Sequence, residues 1–214
     1  MPARRVVQPA YEPLSPNVAK GQCRTSVTVE DTLLLGFIKA AREAIENETQ
    51  LSLITQTWEY TRDYFESPAW RYGAQVYPTR PSVIELPRPP LQSVTWIQYL
   101  DGDGTTSYLY DSLGSPQNTT DVVVDTYSTP GRLLPINGGY WPAVLDQANA
   151  VTIRYVAGYG DNSEDVPAPL KQAILLLVGH LNENREAVTA TGQITEIPMG
   201  VQWMINPYRV LTVR

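Results

Sequence analysis

The spacing of apolar residues along this chain changes twice, and this change limits the folds that the chain can adopt. Leu34, Ile38, Ala41 and Ile45 recur at intervals of three or four residues, so they form one apolar stripe on a helix. The pattern predicts a first helix over roughly residues 29–48.

After this helix the period falls to two, which is typical of half-buried β-strands. Trp58, Tyr60 and Tyr64 alternate with polar residues, and similar short runs continue as far as Val151–Tyr155. Glycine, proline and asparagine separate these runs. The pattern predicts an antiparallel β-sandwich or barrel-like domain over residues 51–165.

The helical period then returns in Leu170, Ile174, Leu177 and Leu181. This wide stripe predicts a second helix, roughly residues 168–188, that is buried on more than one side. We therefore predict an α+β fold in which the two main helices form a small bundle and the β domain is inserted between them. The predicted parts are an extended N-terminal arm (1–27), the helical core (28–50 and 166–190), the β insertion domain (51–165) and a C-terminal segment or tail (191–214).

The arm is predicted from proline placement. Pro2, Pro9, Pro13 and Pro16 should prevent a helix through most of residues 1–27, because proline lacks the backbone N–H and fixes φ. Segments of this kind often stay disordered until they meet a partner.

The charge distribution argues against a surface built to grip nucleic acid, which needs clustered Lys and Arg. The net charge is −6, and acidic residues outnumber basic ones between residues 101 and 165. The start of the chain is basic instead, with Arg4, Arg5, Lys20 and Arg24. A basic arm and an acidic middle suit two different partners, although a solvated loop face explains the acidic residues equally well.

Residues able to perform chemistry are scarce. Cys23 is the single cysteine and His180 the single histidine, so an intrachain disulfide is impossible and a Cys- or His-rich metal site is not expected. Neither a Gly-x-Ser-x-Gly motif nor a glycine-rich phosphate loop occurs. We therefore predict no catalytic residue, no metal, no cofactor and no enzymatic activity. No apolar stretch is long enough for a signal peptide or a membrane span, so no membrane association is expected.

The segment Asp101-Gly-Asp103-Gly104 has the residue types of a calcium loop, but the ligand spacing fails. The twelfth position counted from Asp101 is Ser112, where an EF-hand needs a bidentate glutamate. Asp-Gly pairs also favour tight turns, because both residues tolerate positive φ. The segment is thus predicted to be the turn of a hairpin.

Several segments together resemble the head–tail connector proteins of tailed bacteriophages, also called head-completion or adaptor proteins. They are residues 37–49, ThrGlnThrTrpGlu (55–59), IleGluLeuProArgProProLeuGlnSerVal (84–94), ArgTyrValAlaGlyTyrGly (154–160) and residues 166–188. The resemblance covers roughly residues 29–210. Within that family, the chain resembles the longer members, which carry a β insertion between two helices.

The resemblance implies a structural virion component at the head–tail interface, assembled in the host bacterial cytoplasm. Such adaptors form a ring, expected to hold twelve copies, beneath the portal protein. The ring extends the DNA channel and docks the next tail or head-closure protein, and packaged DNA passes through the lumen without specific binding. The resemblance carries no catalytic residues over to this chain.

A ring subunit needs contacts on two opposite faces, and exposed aromatic and arginine residues are typical anchors. The candidate interface residues are Arg4, Arg5, Trp70, Tyr72, Tyr77, Trp203, Tyr208, Arg209 and Arg214. The candidate channel-lining residues are Asp121, Asp125, Asp161, Glu164 and Asp165, whose charge would repel DNA phosphates. Two other functions remain open: a non-enzymatic ligand- or carbohydrate-binding β module framed by helices, and a hydrolase that uses unrecognised carboxylates.

Overall fold

The computed structural model describes residues 3–24, 31–65, 83–112, 122–136, 139–183 and 198–210. The chain divides into two compact units. The β unit comprises Met1–Gln8 and Gln56–Gly158, and the helical unit comprises Pro9–Thr55 and Tyr159–Arg214. The predicted α+β class is confirmed, with four helices and antiparallel sheets among the described residues.

The described elements are, in chain order, β1 (Ala3–Val7), α1 (Pro16–Cys23), α2 (Asp31–Thr49), β2 (Gln56–Arg62), β3 (Ile84–Glu85), β4 (Leu91–Leu100), β5 (Thr106–Asp111), β6 (Val122–Asp125), β7 (Arg132–Pro135), β8 (Val151–Ala157), α3 (Ala168–Glu183) and α4 (Met199–Ile205). The α2 and α3 helices correspond to the two predicted main helices. The last residues predicted for the second helix, 184–188, lie outside the described part of the chain.

The β unit contains two antiparallel sheets. The larger has the strand order β1-β2-β8-β4-β5, and the smaller has the order β3-β7-β6. Within the described residues, β1 pairs only with β2 and β5 only with β4, so the larger sheet remains open. The barrel-like alternative is therefore wrong, because closure requires the two edge strands to pair with each other.

Alternation on β8 shows how the core of the β unit forms. Val151, Ile153, Tyr155 and Ala157 are buried, while the residues between them are half exposed. These side chains belong to one apolar cluster with residues of the smaller sheet, such as Leu133. The period of two in the sequence thus reports one buried and one partly solvated face.

Tyr155 is the largest aromatic side chain that is fully buried in this core. Its hydroxyl donates a hydrogen bond to the carbonyl oxygen of Pro87 at 2.6 Å. Burial raises the pKa of the Tyr155 phenol well above its usual value, so the group stays neutral and acts as a donor. The hydrogen bond satisfies the only polar atom that this side chain brings into the core.

The helical unit is built on the predicted apolar stripes. Leu34, Ile38, Ala41 and Ile45 of α2 are all buried, and they share one cluster with the stripe of α3. The short helix α4 adds Val201 and Ile205 to the same cluster. Both main helices therefore use their apolar faces against each other, as the sequence predicts.

A buried charge cluster lies within the helical unit. The Arg42 side chain is 1% exposed, and it bonds Glu12 through Nε and Glu46 through Nη1, each at 2.7 Å. Glu46 also accepts a hydrogen bond from the backbone N–H of Leu53 at 3.0 Å. Burial alone would lower the pKa of Arg42, but hydrogen bonding to Glu12 and the charges of both carboxylates raise it. The guanidinium is therefore charged at every accessible pH.

The structure does not confirm the extended N-terminal arm. Within residues 1–27 it contains strand β1 and helix α1. Pro16 occupies the first turn of α1, where backbone N–H groups form no intrahelical hydrogen bond, so proline is tolerated there. In the C-terminal segment, the described residues 198–210 hold α4 and a 3-10 turn at Asn206–Tyr208.

The Asp101 segment forms the predicted hairpin turn between β4 and β5. The Asp101 carbonyl accepts a hydrogen bond from Gly104 N–H at 2.9 Å. Its carboxylate accepts from the N–H groups of Asp103 and Thr105, at 3.1 and 3.0 Å. Gly104 has a φ of +79°, which glycine adopts without strain. The carboxylate is thus engaged in shaping the turn.

Candidate interaction surfaces

The described residues hold no group of three or more His, Cys, Asp or Glu side chains that is able to bind a metal ion. Among them, no helix is long and apolar enough to cross a membrane. His180 lies half-buried on α3, and Cys23 lies half-buried at the end of α1. The features that remain are surfaces, and two of them carry side chains of the kind that mediate protein contacts.

The first surface is a row of residues across the larger sheet. Strand register places Arg4 opposite Glu59, Glu59 opposite Arg154, and Arg154 opposite Trp96. Arg4 Nη2 lies 2.7 Å from one Glu59 oxygen, and Arg154 bonds the other oxygen through Nε at 3.1 Å and through Nη2. The Arg154 guanidinium lies 4.8 Å from the centre of the Trp96 ring. Charge and aromatic contacts thus join β1, β2, β8 and β4 on one face.

Glu59 is the centre of this row and the least exposed of its charged members. Burial opposes ionisation of its carboxyl, but hydrogen bonds and charges from Arg154 and Arg4 outweigh burial and lower its pKa. The carboxylate is therefore ionised at neutral pH and binds two arginines at once.

The predicted interface residues Arg4 and Arg5 both contact β2 of their own chain. Arg5 Nη1 donates to Gln56 Oε1 at 3.2 Å, and its guanidinium lies 5.8 Å from the centre of the Trp58 ring. Both arginines therefore attach β1 to the sheet. Their role towards a second molecule stays a prediction.

The second surface, which we call the α4 surface, consists of Met199 and Trp203. They are 84% and 77% exposed. The two residues are four positions apart, so they lie on the same side of the helix. Val201 and Ile205 are buried in the helical core instead. The helix thus has one apolar face packed inside its unit and a second apolar face in solvent.

The other candidates near α4 have contacts inside the helical unit. Tyr208 is half-buried and packs against the helical core. Arg209 Nη2 lies 2.7 Å from Glu48 Oε1, and both side chains are partly exposed. The exposed aromatic residue of this region is therefore Trp203.

Two of the acidic residues proposed to line a channel are used in turns. Asp125 accepts hydrogen bonds from the N–H and hydroxyl of Ser128 and pairs with Arg132 at 2.6 Å. The Ser128 and Arg132 contacts hold the pKa of the Asp125 carboxyl well below its usual range. Asp165 accepts the N–H of Asn162 at 2.9 Å and closes a capping box.

Asp161 and Glu164 are exposed in the same loop as Asp165. The structure therefore leaves these two acidic side chains in solvent, whereas Asp125 is engaged by Arg132. The remaining candidates, Trp70, Tyr72, Tyr77, Asp121 and Arg214, lie outside the described residues.

Sequence reasoning missed Glu59, Arg154, Trp96 and Met199. Glu59 and Arg154 occupy the polar positions of alternating strands, and such positions indicate a solvated face. Their mutual contact spans 95 residues of sequence and depends on strand order. Met199 had a usable signal, because it lies four residues before Trp203 at helical spacing.

The comparisons with known proteins agree with this architecture. Residues 140–209 match the family model of the phage gp6-like head-tail connector protein, a region that includes β8, α3 and α4. A search of curated proteins finds no match.

The fold is similar to that of a chain in the neck of an empty gene transfer agent (GTA) particle computed with C6 symmetry. The TM-score is 0.74, the sequence identity is 20%, and the match covers 100% of this chain and 98% of the other. Chains of the native GTA virion and of the native GTA neck with C12 symmetry give TM-scores of 0.71 and 0.67, with the same identity and coverage. The family match over residues 140–209 confirms the predicted resemblance to head–tail connector proteins, and the structural matches show that the fold is shared.

Proposed function

We propose that this chain is a head–tail adaptor of a tailed-phage-like particle. Several copies form a ring under the portal protein, extend the DNA channel and offer a docking surface to the next tail or head-closure protein. Twelve copies are expected. The ring is a part of the virion neck, is assembled in the host cytoplasm and performs no catalysis.

The observation that carries this proposal is the family match over residues 140–209 together with the α4 surface inside that region. An exposed tryptophan beside an exposed methionine is unfavourable in a free protein, because both side chains keep apolar area in water. Tryptophan is also enriched among the residues that dominate binding energy at interfaces. The α4 surface is therefore assigned to contact with the portal or with a neighbouring copy.

The acidic loop fits the channel. Asp161 and Glu164 carry charges that are exposed, and negative charge on a channel wall repels the DNA phosphates. Asp165 belongs to the same loop, and Asp121 and Asp125 are separate candidates for the lining. The position of these residues in an assembled ring tests this part, since their placement on the outer rim would contradict it.

The test of function is binding to portal rings from the same particle, followed by sedimentation. Wild-type protein should sediment with the portal, and Trp203→Ser should lose most of this binding. Gln202→Ala is the matched control, because Gln202 is an exposed neighbour on the same helix. Its binding should equal that of the wild type. A wild-type protein that never sediments with portal rings would contradict the adaptor function.

A further inference from the structure

Strand β1 is an edge strand whose attachment to the β unit is weak in apolar contacts. It pairs with β2 in the register Ala3↔Tyr60, Arg4↔Glu59, Arg5↔Trp58 and Val7↔Thr57. None of its five residues is buried. Ala3 packs against the core, while Val6 and Val7 are 39% and 54% exposed.

Polar contacts supply the specificity of this pairing. The Arg4 side chain is 78% exposed although it pairs with Glu59, and Arg5 reaches Gln56 and the Trp58 ring. An ion pair in which one side chain is this exposed contributes little net stability, and added salt weakens it further. Apart from the backbone pairing with β2, β1 is thus held by side-chain contacts that are largely exposed and contribute little net stability.

The chain that follows β1 is anchored elsewhere. From Pro9 onward it belongs to the helical unit. Glu12 binds Arg42 there, Leu14 is buried, and the Pro13 carbonyl accepts a hydrogen bond from the Ser163 hydroxyl.

Only residues 8–11 separate the strand from these anchors, and Gln8, Ala10 and Tyr11 in this link are exposed. The five residue steps from Val7 to Glu12 span at most about 18 Å. The strand can thus reach only a molecule directly beside its own.

We propose that, in the assembled ring, β1 of each copy pairs with β2 of the neighbouring copy. This inference rests on the proposed ring. Every copy gives one strand and receives one, so all contacts are satisfied only when the ring closes. The exchange costs little, because an identical strand meets an identical site and the same ion pair and backbone hydrogen bonds form between chains.

Disulfide trapping tests the exchange directly. Val7 and Thr57 are register partners just beyond a β-bulge between Arg5 and Val7, and neither is buried, so Val7→Cys/Thr57→Cys is the pair chosen for cross-linking. The background carries Cys23→Ser, which removes the single native thiol. The reduced protein is assembled on portal rings, oxidised and analysed by non-reducing gel electrophoresis. We expect a ladder of covalent multimers, with cross-linking in the unassembled protein confined to monomers.

The matched control joins β2 to β8 through Thr61→Cys/Thr152→Cys, which are also opposite and half-buried. It should give only monomers in both states. Rings whose Val7→Cys/Thr57→Cys cross-links all lie within single chains would overturn the exchange while leaving the adaptor function intact. A protein that forms no ring on the portal would overturn the adaptor function, and the exchange with it.

Discussion

Replacing Arg42 with methionine should lower the free energy of unfolding more than any exposed substitution in the helical unit. The variant keeps an apolar stem but removes the charge that binds Glu12 and Glu46. Glu46 is 3% exposed, so its carboxylate would be left buried without a cation. Removing one partner of such a buried pair typically costs about 3–5 kcal/mol. The corresponding shift of the melting temperature is about 6–20 °C for a chain of this size.

The measurement is urea denaturation at neutral pH followed by circular dichroism at the helical band. Urea is preferred to guanidinium, because guanidinium ions screen charges. The double variant Arg42→Met/Glu46→Gln should recover part of the loss, since the amide oxygen can still accept the Leu53 N–H while carrying no charge. A loss below about 1 kcal/mol for Arg42→Met, with no recovery in the double variant, would refute the reasoning.

Three further predictions concern the β unit. The pKa of Glu59 is lowered in the folded state, so this residue stabilises the fold at pH values above its ordinary pKa of 4.5, and the contribution is lost as the pH falls through the folded-state pKa. Glu59→Gln should therefore flatten the acid limb of a curve of unfolding free energy against pH. An unchanged acid limb would contradict this. A Cβ at Gly131 would lie 2.4 Å from Leu91 Cβ, whereas nothing lies within 4 Å of one at Gly102. Gly131→Ala should lower the free energy of unfolding by about 1–3 kcal/mol, as followed by thermal melts, and clearly more than Gly102→Ala does. Asp101→Ala removes the acceptor for two backbone N–H groups and should lower the free energy of unfolding by about 1 kcal/mol. If a chelator lowers the stability of the wild type by more than this, the segment binds an ion instead.

The sequence predicts those parts of the fold that depend on local periodicity. The stripe of Leu34, Ile38, Ala41 and Ile45 places α2 correctly, because a helix face repeats within a few residues and needs no knowledge of its partner. The hairpin at Asp101 is predicted for the same reason, since turn chemistry is local.

Features that depend on distant partners were not predictable in this way. Strand β1 pairs with residues more than fifty positions away. Pro2 and Pro9 flank the strand, and their presence predicts an unstructured arm. Proline content predicts that Pro16 prevents a helix, whereas the structure places it in the first turn of α1, where proline is favoured. The charge of Asp125 alone predicts a place in a channel lining, whereas its hydrogen bonds to Ser128 and Arg132 depend on a turn between β6 and β7 that only the structure shows.

The interface residues stay a prediction, and the structure bears only on their exposure and their contacts within the chain. Trp203 is exposed, as an interface residue must be, because the apolar period of α4 is already satisfied by Val201 and Ile205. Arg4 and Arg5 follow no periodic rule, and their contacts with β2 appear only when the strand order is known.

The central claim is that copies of this chain form a ring on the portal, and electron cryomicroscopy of the protein mixed with purified portal rings tests it most directly. The reconstruction should be made without imposed symmetry. We predict an added layer of density beneath the portal, with one copy of this fold in each repeat and about twelve repeats, as expected for heterologous contacts that close by rotation. Portal rings that remain bare at saturating protein concentration would contradict the account.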